Sequence, residues 1–331
     1  MVAKTRGQRI YSLEEQKDML YNLQKYNYMP LKYSYFDYGA QRWIRFAQRW
    51  LRILKQDPGA RGIHVFERVL LTEMIKSIFN SLPSHLYKNF NLIDLGCGDG
   101  SPMYPILRYL QLTMPKAKIR YNPIDLSPDL LSAASKNISR DFKVFGKPSR
   151  WDLESGSFSH ITKGLNAPNF GNLYLFLGAT FGNMYNQIQM LSDVKRSMLP
   201  CDYLLLAVEL VVEKEIGTMV REYYDIREIY DLTFSALESF GLKRSAGEFK
   251  IIFNRKASQI ECYYVPDKEM NLVTLEGKTV LPKREPVLLA ISTKYTVPMI
   301  TEIIEKAGFR ICLLTTSIGN NYAMAMLQPM K

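Results

Sequence analysis

The chain has 331 residues, a length that suits one large domain or a core with an added lobe, and 47% hydrophobic content is enough to bury a core. With 23% charged residues and no low-complexity tract, a disordered chain is excluded. The formal net charge of +11 invites a nucleic acid or an anionic surface as partner.

Residues 1–10 carry Lys4, Arg6 and Arg9 with no apolar stretch behind them. They do not read as a secretory signal, and the expected location is the cytoplasm. No apolar run approaches the roughly 20 residues of a membrane-spanning helix. Even residues 203–212 are interrupted by Glu209. Four scattered cysteines (Cys97, Cys201, Cys262, Cys312) and three histidines suggest neither a disulfide framework nor a zinc site. The first 80 residues hold 14 Lys and Arg against 7 Asp and Glu, so most of the excess charge lies there.

Ser12 and Glu15 form a capping box that starts a helix to about Tyr26. A second helix is predicted over 40–56, where Trp43, Ala47, Trp50, Leu51 and Leu54 make an apolar stripe. Arg42, Arg45, Arg49 and Arg52 lie largely off it, and Pro58-Gly59 stops it. Such a helix suits either an anionic partner such as RNA or the solvated face of a core-packed helix.

From Asn91 onward short apolar runs alternate with helical segments, the pattern of a parallel sheet covered by helices. Strands are predicted at 92–95, 119–124, 142–145, 173–177 and 203–208. One helix starts at Ser127 with Pro128 in its first turn. A helix over 298–306 is followed by strand-like runs at 309–315 and 322–327, joined as a hairpin through Gly319-Asn320-Asn321. Residues 211–294 break the ladder, with a long helical stretch over 213–240 and hairpin-like runs at 249–253 and 259–265. Five βα repeats with a terminal helix and hairpin predict an α/β class I methyltransferase fold, a Rossmann-like seven-stranded sheet with a second α+β substrate lobe. The predicted division is 1–80 and 211–294 for that lobe, and 81–210 with 295–331 for the core. The lobe is expected over the carboxyl ends of the strands.

The first predicted strand runs into Asp94-Leu-Gly96-Cys97-Gly98-Asp-Gly100. Three glycines there allow positive φ and close approach of a ligand to the backbone. A dinucleotide loop, G-x-G-x-x-G, would need glycine at 101, where the chain has Ser101, and Asp99 would repel a pyrophosphate. The spacing D-x-G-x-G-x-G matches instead the turn that cradles the amino-acid end of S-adenosylmethionine, whose product is S-adenosylhomocysteine. Asp125 ends the second strand, where a carboxylate accepts ribose hydroxyls. Asp152 follows the third strand and could accept the adenine amino group or simply cap a turn. Leu126 and Leu153, beside these two acids, are assigned to the same cofactor site.

After the fourth strand comes Phe176-Leu-Gly178-Ala-Thr180-Phe-Gly182-Asn183. It closely resembles the F-L-G-x-T-x-G-N segment of the histidine Nα-methyltransferases of ergothioneine biosynthesis, a family that includes dimethylallyltryptophan N-methyltransferases. Lys32-Tyr-Ser-Tyr35-Phe-Asp-Tyr-Gly39 is similar to that family's K-W-F-Y-D-x-x-G, with lysine, second tyrosine and glycine in step. Tyr224-Asp225 resembles its Y-D segment, and Ile291-Ser292-Thr-Lys294-Tyr295 its V-S-x-K-F strand. The resemblance spans residues 30–328. It implies that Asn183, Tyr224 and Tyr35 hold the α-amino-acid portion of the substrate, with Asn183 and Tyr224 nearest the chemistry, and that Ser292 contacts its side chain. Histidine-methylating members carry a glutamate two positions before that serine, where this chain has Ala290. The pattern is also loose between Arg61 and Glu67.

The expected function is therefore S-adenosylmethionine-dependent methylation of the α-amine of an amino acid or related small amine. Two alternatives stand beside it: methylation of RNA or another macromolecule docked on the basic N-terminal helices, and a non-catalytic binding module.

Overall fold

The alternating pattern after Asn91 takes the form of a seven-stranded sheet in a computed structural model that describes residues 4–56, 63–83, 88–167, 169–178 and 180–330. The strands are β1 (Asn89–Leu95), β2 (Ile119–Asp125), β3 (Ser149–Arg150), β4 (Phe170–Phe176) and β5 (Tyr203–Glu209), with β11 (Phe309–Thr316) and β12 (Tyr322–Pro329). Their order is β11-β12-β5-β4-β1-β2-β3. β3, β2, β1, β4 and β5 run parallel, and β12 and β11 add antiparallel at one edge. This is the class I methyltransferase fold expected from the sequence. The order reverses between β1 and β4, the switch point at which open α/β sheets place their ligands.

The central strands β4 and β5 are near-continuous apolar runs because both faces are covered. On one face helices Ile63–Ser81, Tyr104–Thr113 and Pro128–Asp141 supply Leu70, Ile75, Leu107 and Ile138 to a core with Leu92 and Leu173. On the other, helices Gln187–Arg196 and Val297–Lys306 supply Leu191 and Ile304 against Ile93 and Phe176. Ser127 and Thr296 cap two of these helices through their side chains.

The chain forms two compact units, Ala47–Val212 with Lys294–Lys331 around this sheet, and Met1–Phe46 with Glu213–Thr293. The second contains the sheet β10-β7-β6 (β6 Gly247–Asn254, β7 Gln259–Pro266, β10 Val287–Thr293) and the hairpin of β8 (Met270–Val273) with β9 (Lys278–Leu281). The capping box of helix Leu13–Tyr26 forms as expected.

Three expectations change. The expected boundary near residue 80 moves to 46/47, because helix Ile63–Ser81 buries Leu70, Leu71 and Ile78 in the core of the large sheet. The strand expected at 142–145 is reduced to one bridge, Arg120 to Phe145. Helix Pro128–Asp141 runs up to Phe142, and Gly146 at φ +154 turns against the Tyr121 backbone, so pairing with β2 resumes only at Ser149. The long helix expected over 213–240 is broken, with a π-helical turn at Val220–Tyr224, an extended Ile226, and helices Arg227–Thr233 and Ser235–Ser239. The stop at Pro58-Gly59 lies outside the described residues.

Two chain segments leave the large sheet side by side. Leu210 pairs with Tyr295, Tyr295 N–H donates to the Glu209 carbonyl, and Val211 N–H to that of Tyr295. At their root Lys294 (1% exposed) forms an ion pair with Glu209 (4% exposed). Removing one partner leaves a buried charge. Lys294→Met should therefore cost about 3–5 kcal/mol of stability, and Lys294→Met with Glu209→Leu should recover much of it. Thermal and denaturant unfolding of the three proteins checks this.

Candidate functional site

Gly96, Gly98 and Gly100 all adopt positive φ (63°, 54° and 77°), as the loop after β1 requires. Space is equally restrictive. A Cβ at Gly96 would lie 2.8 Å from Thr180 Cγ2, and one at Gly100 would lie 3.1 Å from Ile138 Cγ1. The loop is fastened to the next strand by its acid. Asp125 Oδ2 accepts Gly98 N–H at 3.3 Å, and Oδ1 accepts Ser127 N–H at 2.9 Å. Burial pushes the Asp125 carboxyl up to about 6, with the Ser127 and Gly98 amides drawing it back. Asp94 accepts the Tyr121 hydroxyl at 2.8 Å. Burial raises it to about 7, opposed by that hydrogen bond and reinforced by Asp125.

Cys97 is buried, and desolvation with the neighbouring acids holds its thiol well above the ordinary value. It is a neutral packing group rather than a nucleophile. With Asp94, Asp99 and Asp125 around one turn, the loop repels phosphate and favours a cation. S-adenosylmethionine fits this chemistry: its sulfonium and ammonium are positive, its ribose offers hydroxyls to Asp125, and it carries no phosphate.

Asp152 caps the 3₁₀ turn Leu153–Ser155, its Oδ1 accepting Glu154 N–H at 2.9 Å. Leu153 is buried in the core beside β2, and the Leu126 carbonyl accepts Arg150 Nε at 3.0 Å. These residues thus have local structural duties whether or not they also touch adenine.

Asn183 closes the 3₁₀ turn Thr180–Asn183 after β4. The turn is anchored by Phe181, fully buried against Phe176 and stacked on Tyr295. Because Thr180 occupies the space a Gly96 side chain would need, this turn and the glycine loop are in direct contact.

Of the predicted substrate residues, Asn183 belongs to the larger unit and Tyr35, Tyr224, Ala290 and Ser292 to the smaller. Tyr224 ends the π-helical turn and shares a 3.1 Å hydrogen bond with Ser292 on β10. A π-turn of this kind often marks a functional position. Tyr35 ends the 3₁₀ segment Leu31–Tyr35, which packs beside β10, and its ring meets Trp43 edge-on. Ala290, two residues before Ser292, lies on the same face of β10, opposite Cys262 on β7. Glu261 pairs with Ile291, so it points to the other face, where Asn254 and Tyr263 donate to it. It does not replace the family's glutamate. A cleft of about 260 Å³ in this unit is lined by Arg6, Asp37, Arg42, Arg45 and Glu238, but Arg6 is paired with Asp37 and Arg42 with Glu238.

Sequence reasoning missed the polar groups beneath the Gly178 turn. Glu67, 4% exposed, accepts Gly178 N–H at 2.6 Å and the Tyr322 hydroxyl at 2.5 Å. The available signal was one acid amid the apolar residues of 63–71.

The pattern of a family described as histidine-specific, S-adenosylmethionine-dependent methyltransferases matches residues 64–329. No protein of curated function matches the sequence. Among solved structures, an S-adenosylmethionine-dependent methyltransferase from Clostridium acetobutylicum is 11% identical, with 87% of this chain and 98% of that one covered and a TM-score of 0.42. The CurJ carbon methyltransferase is 13% identical over 81% of this chain and 55% of its own, at 0.45. The mitomycin 7-O-methyltransferase MmcR is 13% identical over 84% and 60%, at 0.40. At these scores the superpositions add nothing to what the strand order gives. With its pattern matched over most of its length, the chain belongs to the family of histidine-specific, S-adenosylmethionine-dependent methyltransferases.

Proposed function

We propose that this methyltransferase acts on the α-amine of an amino acid or a closely related small amine. The observation that supports this most is the Tyr224–Ser292 hydrogen bond. Two motif residues, far apart in sequence, are joined where the resemblance requires a substrate pocket, with the segment of Tyr35 beside the same strand.

S-adenosylmethionine, when bound, supplies a methyl group already activated on a sulfonium. The protein's own work is to orient and to exclude water. Asp94, Asp125 and the side-chain-free backbone of Gly96, Gly98 and Gly100 would enclose the donor, with Leu126, Asp152 and Leu153 at its adenosine end. Asn183 would orient the amine or carboxylate of the acceptor, and the Tyr35 and Tyr224 hydroxyls can donate or accept there. The attacking amine must be neutral, and a desolvated pocket lowers its pKa toward that state.

Selectivity for imidazole is expected to be weaker than in members with the glutamate. Ala290 offers no acceptor, and the Ser292 hydroxyl is engaged with Tyr224. A site that hydrogen-bonds a polar ring discriminates strongly, and losing the acceptor relaxes that discrimination. Aromatic or aliphatic amino acids should be methylated at least as well as histidine.

Binding, transfer and specificity measurements test this reading. Calorimetry across pH should show S-adenosylmethionine binding strengthen as pH rises through about 6, where Asp125 ionises. Asp125→Asn should bind about tenfold more weakly and lose the step near 6, leaving only the contribution of Asp94 near 7; an unaltered affinity and profile would remove Asp125 from the donor site. Asn183→Ala should leave donor binding intact while transfer to amino acids falls about 10²-fold. A mass-spectrometric screen of amino acids should find aromatic or aliphatic acceptors. Ala290→Glu should shift preference toward histidine by about tenfold. Exclusive use of histidine by the unaltered enzyme would contradict the specificity argument.

A further inference from the structure

A buried carboxylate needs a reason to stay buried, and Glu67 lies at the root of the turn that carries Asn183. Its helix, Ile63–Ser81, packs Leu70 and Leu71 into the sheet core, so the backbone at Glu67 is fixed by apolar contacts on the following turn. Both hydrogen bonds reach the same oxygen, Oε2. One comes from Tyr322 at the start of β12, the other from Gly178 N–H just beyond β4. Burial pushes the carboxyl up, the Tyr322 and Gly178 donors pull it back, and Glu209 pushes it up again. The chain tolerates this burial where an apolar residue would fill the space without desolvation cost.

Gly178 shows what the carboxylate controls. It sits at φ +74, yet a Cβ there would meet nothing closer than Thr180 Oγ1 at 3.8 Å. Glycine is therefore required for the backbone direction and not for space, and that direction aims its N–H at Glu67. Two residues later Thr180 presses on Gly96, and Asn183 ends the turn. The turn is thus held at its far side by the buried ring of Phe181 and at its start by the Gly178–Glu67 hydrogen bond.

We infer that Glu67 is a positioning residue for methyl transfer: its Oε2 fixes the Gly178 amide and so sets where the Thr180–Asn183 turn presents Asn183 relative to the donor loop. Its consequence for catalysis rests on the substrate role proposed above for Asn183; its hold on the turn does not. The role calls for an acceptor at a given reach, not for a negative charge. Glu67→Gln keeps the reach and loses the charge, and Glu67→Asp keeps the charge and loses one methylene of reach.

The test compares these two variants in the full chain. Hydrogen exchange of a peptide covering 177–184 should quicken about tenfold in Glu67→Asp and stay near wild type in Glu67→Gln. Exchange across β1 and calorimetric affinity for S-adenosylmethionine should hold in both. With the acceptor found by the amino-acid screen, or L-histidine, KM should rise about tenfold in Glu67→Asp and be restored in Glu67→Gln. Unchanged exchange in Glu67→Asp, or a Gln variant as impaired as the Asp variant, overturns the inference. If Asn183→Ala retains full transfer while the exchange difference persists, the substrate role of Asn183 falls and the hold of Glu67 on the turn stands.

Discussion

Carboxylates buried at the carboxyl end of the parallel strands constrain what is built there. Asp94 and Asp125 lie at the ends of β1 and β2, Glu209 ends β5, and Glu67 reaches the end of β4 from a covering helix. Each must be satisfied or neutralised, since an uncompensated charge in a protein interior costs several kcal/mol. The compensation differs in each case. Asp94 takes a tyrosine hydroxyl, Asp125 takes two backbone amides, Glu209 takes Lys294, and Glu67 takes a hydroxyl and an amide.

The amides used are those of the functional loops themselves. Gly98 N–H serves Asp125 and Gly178 N–H serves Glu67, so the conformations of the glycine loop and of the Asn183 turn are coupled to acids in the core. Positive φ at these glycines is what turns the amides inward. The same arrangement leaves an electronegative turn at the β1/β4 switch point. That field is wrong for a dinucleotide pyrophosphate and right for a sulfonium, which is how one sheet architecture comes to select a methyl donor.

Much of this was legible in the sequence, because local signals and burial agree there. Apolar runs located β1, β2, β4 and β5, the Ser12–Glu15 box and Ser127-Pro128 located helix starts, and glycine spacing named the cofactor. What was not legible depends on tertiary partners. Helix Ile63–Ser81 carries Leu70, Leu71, Ile75 and Ile78 at helical spacing, but spacing alone does not say which core that stripe joins. The break at residues 225–226 carries no proline or glycine. Phe142 and Val144 look like strand residues but pack against the core from outside the ladder, and β3 is only two residues long. The meeting of Tyr224 with Ser292 was implied only by ordered resemblance, because no spacing rule links a π-turn to a strand 68 residues away. Glu67 was named merely as the end of a loosely matching stretch, since a lone acid in an apolar helix has no motif until Gly178 and Tyr322 are placed beside it.

The excess positive charge takes on a different meaning once its partners are known. Arg6 pairs with Asp37 and stacks on Tyr38, Arg42 bonds Glu238, Ser235 and the Asp231 carbonyl, Arg244 pairs with Asp231, and Arg255 with Glu213. All of these lie within the smaller unit, where arginines tie the N-terminal segment to the helices around 227–239 and the strands that follow them. A polyanion recruited there would compete with carboxylates already in hydrogen-bonding contact, which weakens the argument from net charge to nucleic acid. Arg45, Arg49 and Arg52 lie exposed along helix Tyr38–Gln56, but a few cations release few counterions and give a shallow salt dependence. The paired arginines of this unit are better understood as internal fasteners, the basic counterpart of the buried acids in the sheet unit.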